Sequence, residues 1–315
     1  MDFTPLERVT GPGEKLGQQS VDEHGPGPGY ACENCGHLTA RPLTVTQGEQ
    51  IRVFCCMQCL ARSFEVSGGV DPVRKMLVGR RSELISKIEG KRGFKLITMI
   101  HREEMGTAKP YITIEDSEEV LHELQVTADD APVDFVLHCP GGIIMPAEQI
   151  ALAVKDHPAG VSVIVPHYAM SGATLIALAA KEILMDPYSV LGPLDTQIQG
   201  FPSPSLIRLL QLKKPEYIRD EMLILADIAV KSLGQMKAFI VGLLWDRFGR
   251  EKATALAEFF TGGYLTHDSP ITAKAAQALG LPVKVGLPEE VHELMRLYKP
   301  TSEHRGSWYD VPCGR

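Results

Sequence analysis

Between residues 94 and 285, short apolar runs recur with helix-length segments between them, and this alternation restricts the fold more than any other feature. "FKLITMI" (94–100) is a short strand signal, and "VDFVLHC" (133–139) is a buried strand that leads to a helical stretch at Ala147–Asp156. "VSVIVP" (161–166) is the next strand, Gly172–Ala180 a helix, and "EILMD" (182–186) a further strand. A long helical region follows from Pro215 to Phe248, and "AKAAQALGLPVKV" adds a helix and a last short strand. Continuous apolar runs suit strands covered on both faces. Strands alternating with helices of about ten residues predict an α/β fold with a mainly parallel sheet and helices on its faces.

A chain of 315 residues is long enough for two domains, one of them small. Apolar content of 44% with 23% charge fits a soluble globular protein, and a net charge of −7 argues against general nucleic-acid affinity. One local basic patch holds Arg74, Lys75, Arg80, Arg81, Lys87, Lys91, Arg92 and Lys95 against Glu83 and Glu89. Met76, Leu77, Leu84, Ile85 and Ile88 interleave at helical spacing, so the patch reads as an amphipathic helix with a solvated basic face. An acidic partner or membrane surface is the alternative. The first thirty residues lack the apolar core of a signal peptide. The longest apolar region is broken by Pro166, His167, Lys181 and Glu182, short of a membrane span. These features predict a cytoplasmic protein.

The organisation that follows is a flexible Gly- and Pro-rich tail (1–29), a cysteine module (30–64), a basic amphipathic helical linker (65–94), a main domain (95–298) and a C-terminal tail (299–315). In the module, "CENC" and "CCMQC" place Cys32 and Cys35, then Cys56 and Cys59, as two CxxC knuckles about twenty residues apart. Four thiolates at this spacing suit a tetrahedral structural Zn²⁺. So short a segment has almost no core, and metal binding would supply much of its folding free energy. Cys55 adjoins Cys56 and is an alternative ligand, His37 a weaker one, and redox chemistry or unligated thiols remain open. A closed four-sulfur site leaves no position for substrate, so the module is expected to present a surface to a protein partner.

"HYAMSGATLIALAAKEILM" (167–185) carries Ser171, followed at once by Gly172, where a strand hands over to a helix. An isolated Ser-Gly would read as an N-cap. Here the context favours a nucleophile: the turn exposes the hydroxyl, and helix N-terminal amides stand ready to stabilise negative charge. Upstream, Pro140-Gly141-Gly142 follows a buried strand directly. Alone it is a tight turn; paired with the downstream Ser-Gly, its glycines permit the close backbone approach that an oxyanion hole requires. His138 and Cys139 flank this turn and read as core residues.

"FVLHCPGGIIMPAEQIALAV", "VPHYAMSGATLIALAAKEILMDPYSVLGPLDTQI" and "LTHDSPITAKAAQALGLPV" resemble the serine dehydrogenase proteinase family. That family is a branch of the Clp-protease/crotonase superfamily, distantly similar to signal peptide peptidase A and the Clp proteolytic subunit. The resemblance runs from about Lys95 to Leu297. It implies a ClpP/crotonase-type spiral of ββα units, serine-peptidase activity and a homo-oligomer. Where many members carry a hydrophobic N-terminal anchor, this chain carries the cysteine module. By the resemblance Ser171 is the nucleophile, and the N–H groups of Gly141 or Gly142 and of Gly172 form the oxyanion hole.

For the base, the resemblance offers two arrangements. The family's chain order of Ser, Asp, His maps onto Ser171, Asp195 and His267, with Asp268 beside the histidine. The rival is a Ser-Lys dyad, in which a desolvated lysine acts as base. In the stomatin-operon proteases the lysine lies roughly forty residues after the serine, and Lys213 and Lys214 stand at that spacing. Spacing favours the lysine. Without the resemblance, the lysines read as a solvated approach to a helix and His267 as a helix-start or core residue. Lys231 is a distant third candidate and reads as exposed. The leading function is thus a soluble serine peptidase acting on peptides or unfolded segments. A crotonase-type acyl-CoA enzyme using Glu148 is one alternative; a catalytically inactive zinc-module adaptor on the same fold is the other.

Overall fold

The computed structural model describes residues 30–31, 38–39, 43–47, 50–54, 70–101 and 111–298. The chain divides into two compact units, one holding residues up to Ser82 and the larger spanning Glu83–Pro300. In the first, two antiparallel pairs are described: β1 (Tyr30–Ala31) with β2 (Leu38–Thr39), and β3 (Leu43–Gln47) with β4 (Gln50–Phe54). Cys32, Cys35, Cys56 and Cys59, with the zinc assigned to them, lie outside the described residues, as do Cys55 and His37.

The basic segment forms a helix, α1 (Val70–Arg92). Its second half, from Glu83, belongs to the larger unit, where Leu84 and Ile88 are buried. The basic face of this half is only partly solvated, because Lys91 Nζ lies 2.9 Å from Glu290 Oε1 and Arg92 grips the buried carboxylate of Asp134.

Five strands then build one sheet. In chain order they are β5 (Lys95–Ile100), β6 (Val133–His138), β7 (Val161–Val165), β9 (Glu182–Met185) and β14 (Val283–Val285). The short β8 (Tyr168–Ala169) falls between β7 and β9. Their spatial order is β14-β9-β7-β6-β5, and all four pairings are parallel. The mainly parallel sheet is as predicted, and β6 is buried at all six positions, as a strand covered on both faces must be. The crossovers include α2 (Ile114–Val126), α3 (Ile144–Asp156) and α4 (Gly172–Ala179). Helix α3 starts three residues earlier than its sequence suggested, and α2, among the charges of "IEDSEEVLHELQV", gave no clear helical signal.

Three short strands form a second sheet: β10 (Val190–Leu191) runs parallel to β8 and antiparallel to β13 (Ile271–Thr272). A hairpin of β11 (Gln197–Ile198) and β12 (Phe201–Pro202) leads to α5 (Ser203–Leu212). The long helical region is longer than expected and begins later. After one 3₁₀ turn at Pro215–Tyr217 comes α6, Asp220–Thr261, broken at Gly249, whose φ of 72° and ψ of 165° are not helical. Only glycine enters that region without steric cost. Helices α7 (Ala273–Ala278) and α8 (Glu289–Arg296) complete the unit. Among the described residues, no helix is long and apolar enough to cross a membrane.

One contact of α6 bears directly on the centre of the fold. Arg247 donates to the carbonyls of Leu178 (2.7 Å), Ala179 (3.3 Å) and Ala180 (2.5 Å) at the C-terminal end of α4. Those carbonyls have no partner within their own helix, and a cation is favoured where the helix dipole is negative.

Candidate active site

Strand β6 ends in Cys139 and the Pro140–Gly142 loop, while β8 ends in Met170 and Ser171; the two turns lie side by side. Cys139 N–H donates to Tyr168 O (3.1 Å), and Met170 N–H donates to Cys139 O (2.9 Å). Beyond the loop, Ile112 N–H donates to Gly141 O (2.8 Å), and Ile143 N–H donates to Ile112 O (3.0 Å). The loop is therefore clamped between two segments.

The glycines are required by that clamp. Gly141 has φ 107°, and a Cβ there would stand 2.7 Å from Ser171 Cβ. At Gly142 a Cβ would stand 2.3 Å from Ile112 N. A side chain at either position would push the loop off its neighbours. The N–H of Gly141 turns inward and donates to Cys139 Sγ (3.2 Å). Those of Gly142 and Gly172 donate to no group among the described residues, and both glycines line one cavity with Ser171. Of the three predicted donors, Gly142 and Gly172 are thus the pair available to a ligand.

Ser171 precedes α4 with φ 48° and ψ −126°, and its side chain makes no capping hydrogen bond. A non-glycine residue in this region carries strain of about 1–3 kcal/mol and persists only where its surroundings over-determine it. Here they do. Thr174 N–H and Leu175 N–H donate to Ser171 O (2.8 and 3.3 Å), and Ala173 N–H donates to Met170 O (2.9 Å). Thr174 Oγ1 donates to Ala169 O (2.7 Å) and accepts from Gly192 N–H (2.9 Å). The N-cap reading thus fails at the point that defines it, the side-chain bond to the first turn.

The cavity beside Ser171 has a volume of about 210 Å³. Ile144, Ala147, Leu175, Leu194 and Met236 give it apolar walls, and its polar rim holds Ser171, Asp195, Thr196, Gln197 and His267. His267 Nδ1 lies 2.8 Å from Asp195 Oδ1 across 72 residues of sequence. Asp195 is 3% exposed, and its second oxygen accepts from Gln197 Nε2 (2.7 Å). The residues on either side of Asp195 are themselves anchored: Leu194 N–H donates to Phe260 O (2.7 Å), and Thr196 Oγ1 meets Ser203 Oγ (2.7 Å). The hydrogen bond that the His267 ring donates to Asp195 raises the His267 pKa above the ordinary 6.5, against the opposing effect of partial burial. With Nδ1 committed to the carboxylate, Nε2 is the ring nitrogen left to exchange a proton.

Lys213 and Lys214 do not line this cavity; both are exposed, at and just after the end of α5. Lys231 is exposed and paired with Asp227 on its own helix. Glu148, half-buried on α3, lies outside the cavity lining. Cys139 is fully buried, its thiol pushed up to about 12, mainly by desolvation, so it stays protonated. His138 is 1% exposed and packs its ring on Tyr168 at 4.2 Å, consistent with a core role. Gln197, Met236 and Ile144 escaped the sequence reading, since nothing in their local pattern marks them as cavity-lining.

The uncharacterized protein MJ0137 of Methanocaldococcus jannaschii is 47% identical over 243 residues, covering 76% of this chain and 85% of its own. A second protein of that organism, MJ1495, is 44% identical over 238 residues, covering 74% and 81%. Among solved structures, the 1510-N membrane-bound stomatin-specific protease is similar at 19% identity and TM-score 0.41, covering 64% of this chain and 82% of its own. ClpP1 from Listeria monocytogenes is similar at 14% identity and TM-score 0.42, covering 65% and 97%. The family model of ClpP-like SDH-type serine proteinases matches residues 70–314, and the chain belongs to that family.

Proposed function

We propose that this protein hydrolyses peptide bonds with a Ser171–His267–Asp195 triad, with Gly142 and Gly172 as the oxyanion hole. The reading rests on one observation above others: the Asp195–His267 pair and two undonated amide N–H groups line the same cavity as Ser171. In the proposed step His267 Nε2 takes the Ser171 hydroxyl proton as Oγ attacks the substrate carbonyl carbon. The carbonyl oxygen becomes an oxyanion, and the N–H groups of Gly142 and Gly172 donate to it. His267 then returns the proton to the leaving amine, and water releases the acyl group by the reverse route. Asp195 holds the ring in the tautomer that leaves Nε2 free. The lysine favoured by spacing becomes the second reading, because Lys213 and Lys214 are exposed and do not line the cavity that holds Ser171.

We also propose a homo-oligomer and a structural zinc. Ile224, Ile228, Val230 and Trp245 are 60, 41, 50 and 46% exposed on α6, a large apolar surface for one helix, which supports burial between subunits. The zinc rests on the CxxC spacing of Cys32, Cys35, Cys56 and Cys59. With no membrane-crossing helix among the described residues, a cytoplasmic location remains our reading.

Ser171→Ala is expected to abolish labelling by a fluorophosphonate and all peptidase activity, with the fold retained by circular dichroism. His267→Ala should lower kcat/KM by roughly 10²–10⁴ while Lys213→Ala and Lys214→Ala leave it near wild type; the opposite ranking would establish the lysine. Because the neutral imidazole is the base and its pKa is raised, activity should rise with pH through a midpoint above 6.5. Asp195→Asn removes the hydrogen bond that raises it and should move that midpoint down; a midpoint that stays put would show that another group titrates. Static light scattering at micromolar concentration should give a mass above one chain, and a monodisperse monomer would remove the proposed assembly. Elemental analysis of protein purified under reducing conditions without chelator should find one zinc per chain, and finding none would remove the metal.

A further inference from the structure

Among the described residues, strand β5 is the last strand on its side of the parallel sheet. Lys95 N–H donates to Pro132 O (3.0 Å) and His101 N–H to His138 O (2.8 Å), so the odd-numbered residues face β6 and the even-numbered ones face outward. The outward N–H of Leu96 donates to Glu89 Oε1 (3.0 Å). Those of Thr98 and Ile100 donate to no group among the described residues. Two such groups, two residues apart, form a template for another strand.

A groove of about 530 Å³ runs beside this edge. One wall is the unbroken run from Leu96 to His101; the other is α2. The two run antiparallel: Lys95 Nζ lies 3.6 Å from Glu123 Oε2 at one end, and His101 Nε2 lies 3.2 Å from Asp116 Oδ1 at the other. Along the α2 wall Glu115, Glu119 and Glu123 recur every four residues. Four residues advance a helix by about 6 Å. Alternate residues of a strand advance by roughly 6.6–6.8 Å, with side chains on one face. The carboxylates are therefore spaced to meet every second side chain of a strand laid along β5. At the His101 end, the imidazole is 7% exposed and its Nδ1 has no hydrogen-bond partner among the described residues.

We propose that the groove between β5 and α2 docks an extended basic segment of another polypeptide, which joins the sheet edge as a sixth strand. Its backbone bonds Thr98 and Ile100, and alternate Lys or Arg side chains face Glu115, Glu119 and Glu123. Backbone pairing supplies affinity for any extended chain, and the acidic wall selects the basic ones. In the free protein Lys95 already sits against Glu123, so selection falls chiefly on the position facing Glu119, at the middle of the wall. This groove shares no lining residue with the cavity at Ser171, so the proposal does not depend on the catalytic reading.

The test uses the full-length Ser171→Ala protein, which cannot turn the probe over, and a fluorescein-labelled peptide of alternating Lys and Val followed by anisotropy at low salt. Saturable binding is expected, roughly tenfold tighter than for an alternating Glu-Val peptide and weakened by added salt. Adding Glu119→Lys, an exposed change that leaves the core untouched, should weaken the Lys-Val peptide by a similar factor. Thr98→Pro removes an outward N–H without breaking the ladder to β6, and should weaken both peptides alike. Absence of saturable binding would overturn the proposal. So would equal affinity for the two peptides, or a Glu119→Lys protein that binds the basic peptide as well as its parent does.

Discussion

The glycine loop at Pro140–Gly142 is held by four backbone hydrogen bonds and by the absence of two side chains. Ile112 grips it from outside, and Cys139 ties it to the turn that carries Ser171. Because a Cβ at Gly141 or Gly142 would collide with Ser171 or with the backbone of Ile112, loop and serine turn can approach closely only as they are. The rest of the larger unit serves that approach. Parallel pairing sets β6 and β7 in register, so that consecutive crossovers deliver both turns to the same end of the sheet, as ligand sites in α/β sheets require. The buried thiol of Cys139 accepts the Gly141 N–H and so fixes which amides of the loop remain free.

Much of this could be read from the sequence. The buried strands were visible because continuous apolar runs are unusual outside a two-sided sheet, and Ser171 and the glycines because their residue types have few uses at such turns. The pairing of Asp195 with His267 was harder to see. Their 72-residue separation contains a hairpin, α5 and all of α6, and the packing of α6 on α3, α4 and α5 returns the chain to Asp195. A fixed spacing carries no such information, which is why it favoured exposed lysines. Helix α2 was missed for a different reason: only Ser117, Val120 and Leu124 are buried along its thirteen residues, too thin a stripe to read among its acids.

The competing readings meet specific obstacles. An acyl-CoA enzyme of the crotonase type has no use for the strained, uncapped Ser171, and Glu148 lies outside the cavity that holds the free amides. A purely structural adaptor would leave unexplained why about 1–3 kcal/mol of backbone strain is retained beside a buried carboxylate–imidazole pair. Strain, free donors and an oriented imidazole line one cavity with the Ser171 hydroxyl, which supports the proposed acyl transfer to serine.

Arg247 has a consequence for how this protein can vary. Helix α4 is eight residues long, about 12 Å, so the guanidinium at one end and the Ser171 turn at the other belong to one short rigid rod. Arg247 reaches that rod from α6, where each residue advances the helix by about 100°. A single insertion or deletion between Asp220 and Arg247 would swing the guanidinium a quarter-turn or more from the carbonyls of Leu178, Ala179 and Ala180. Changes of length in this stretch are therefore tolerated only near whole turns, while Gly249, just beyond, marks where the chain is free to change direction. The reading frame of a surface helix thus becomes a constraint imposed from the protein's interior.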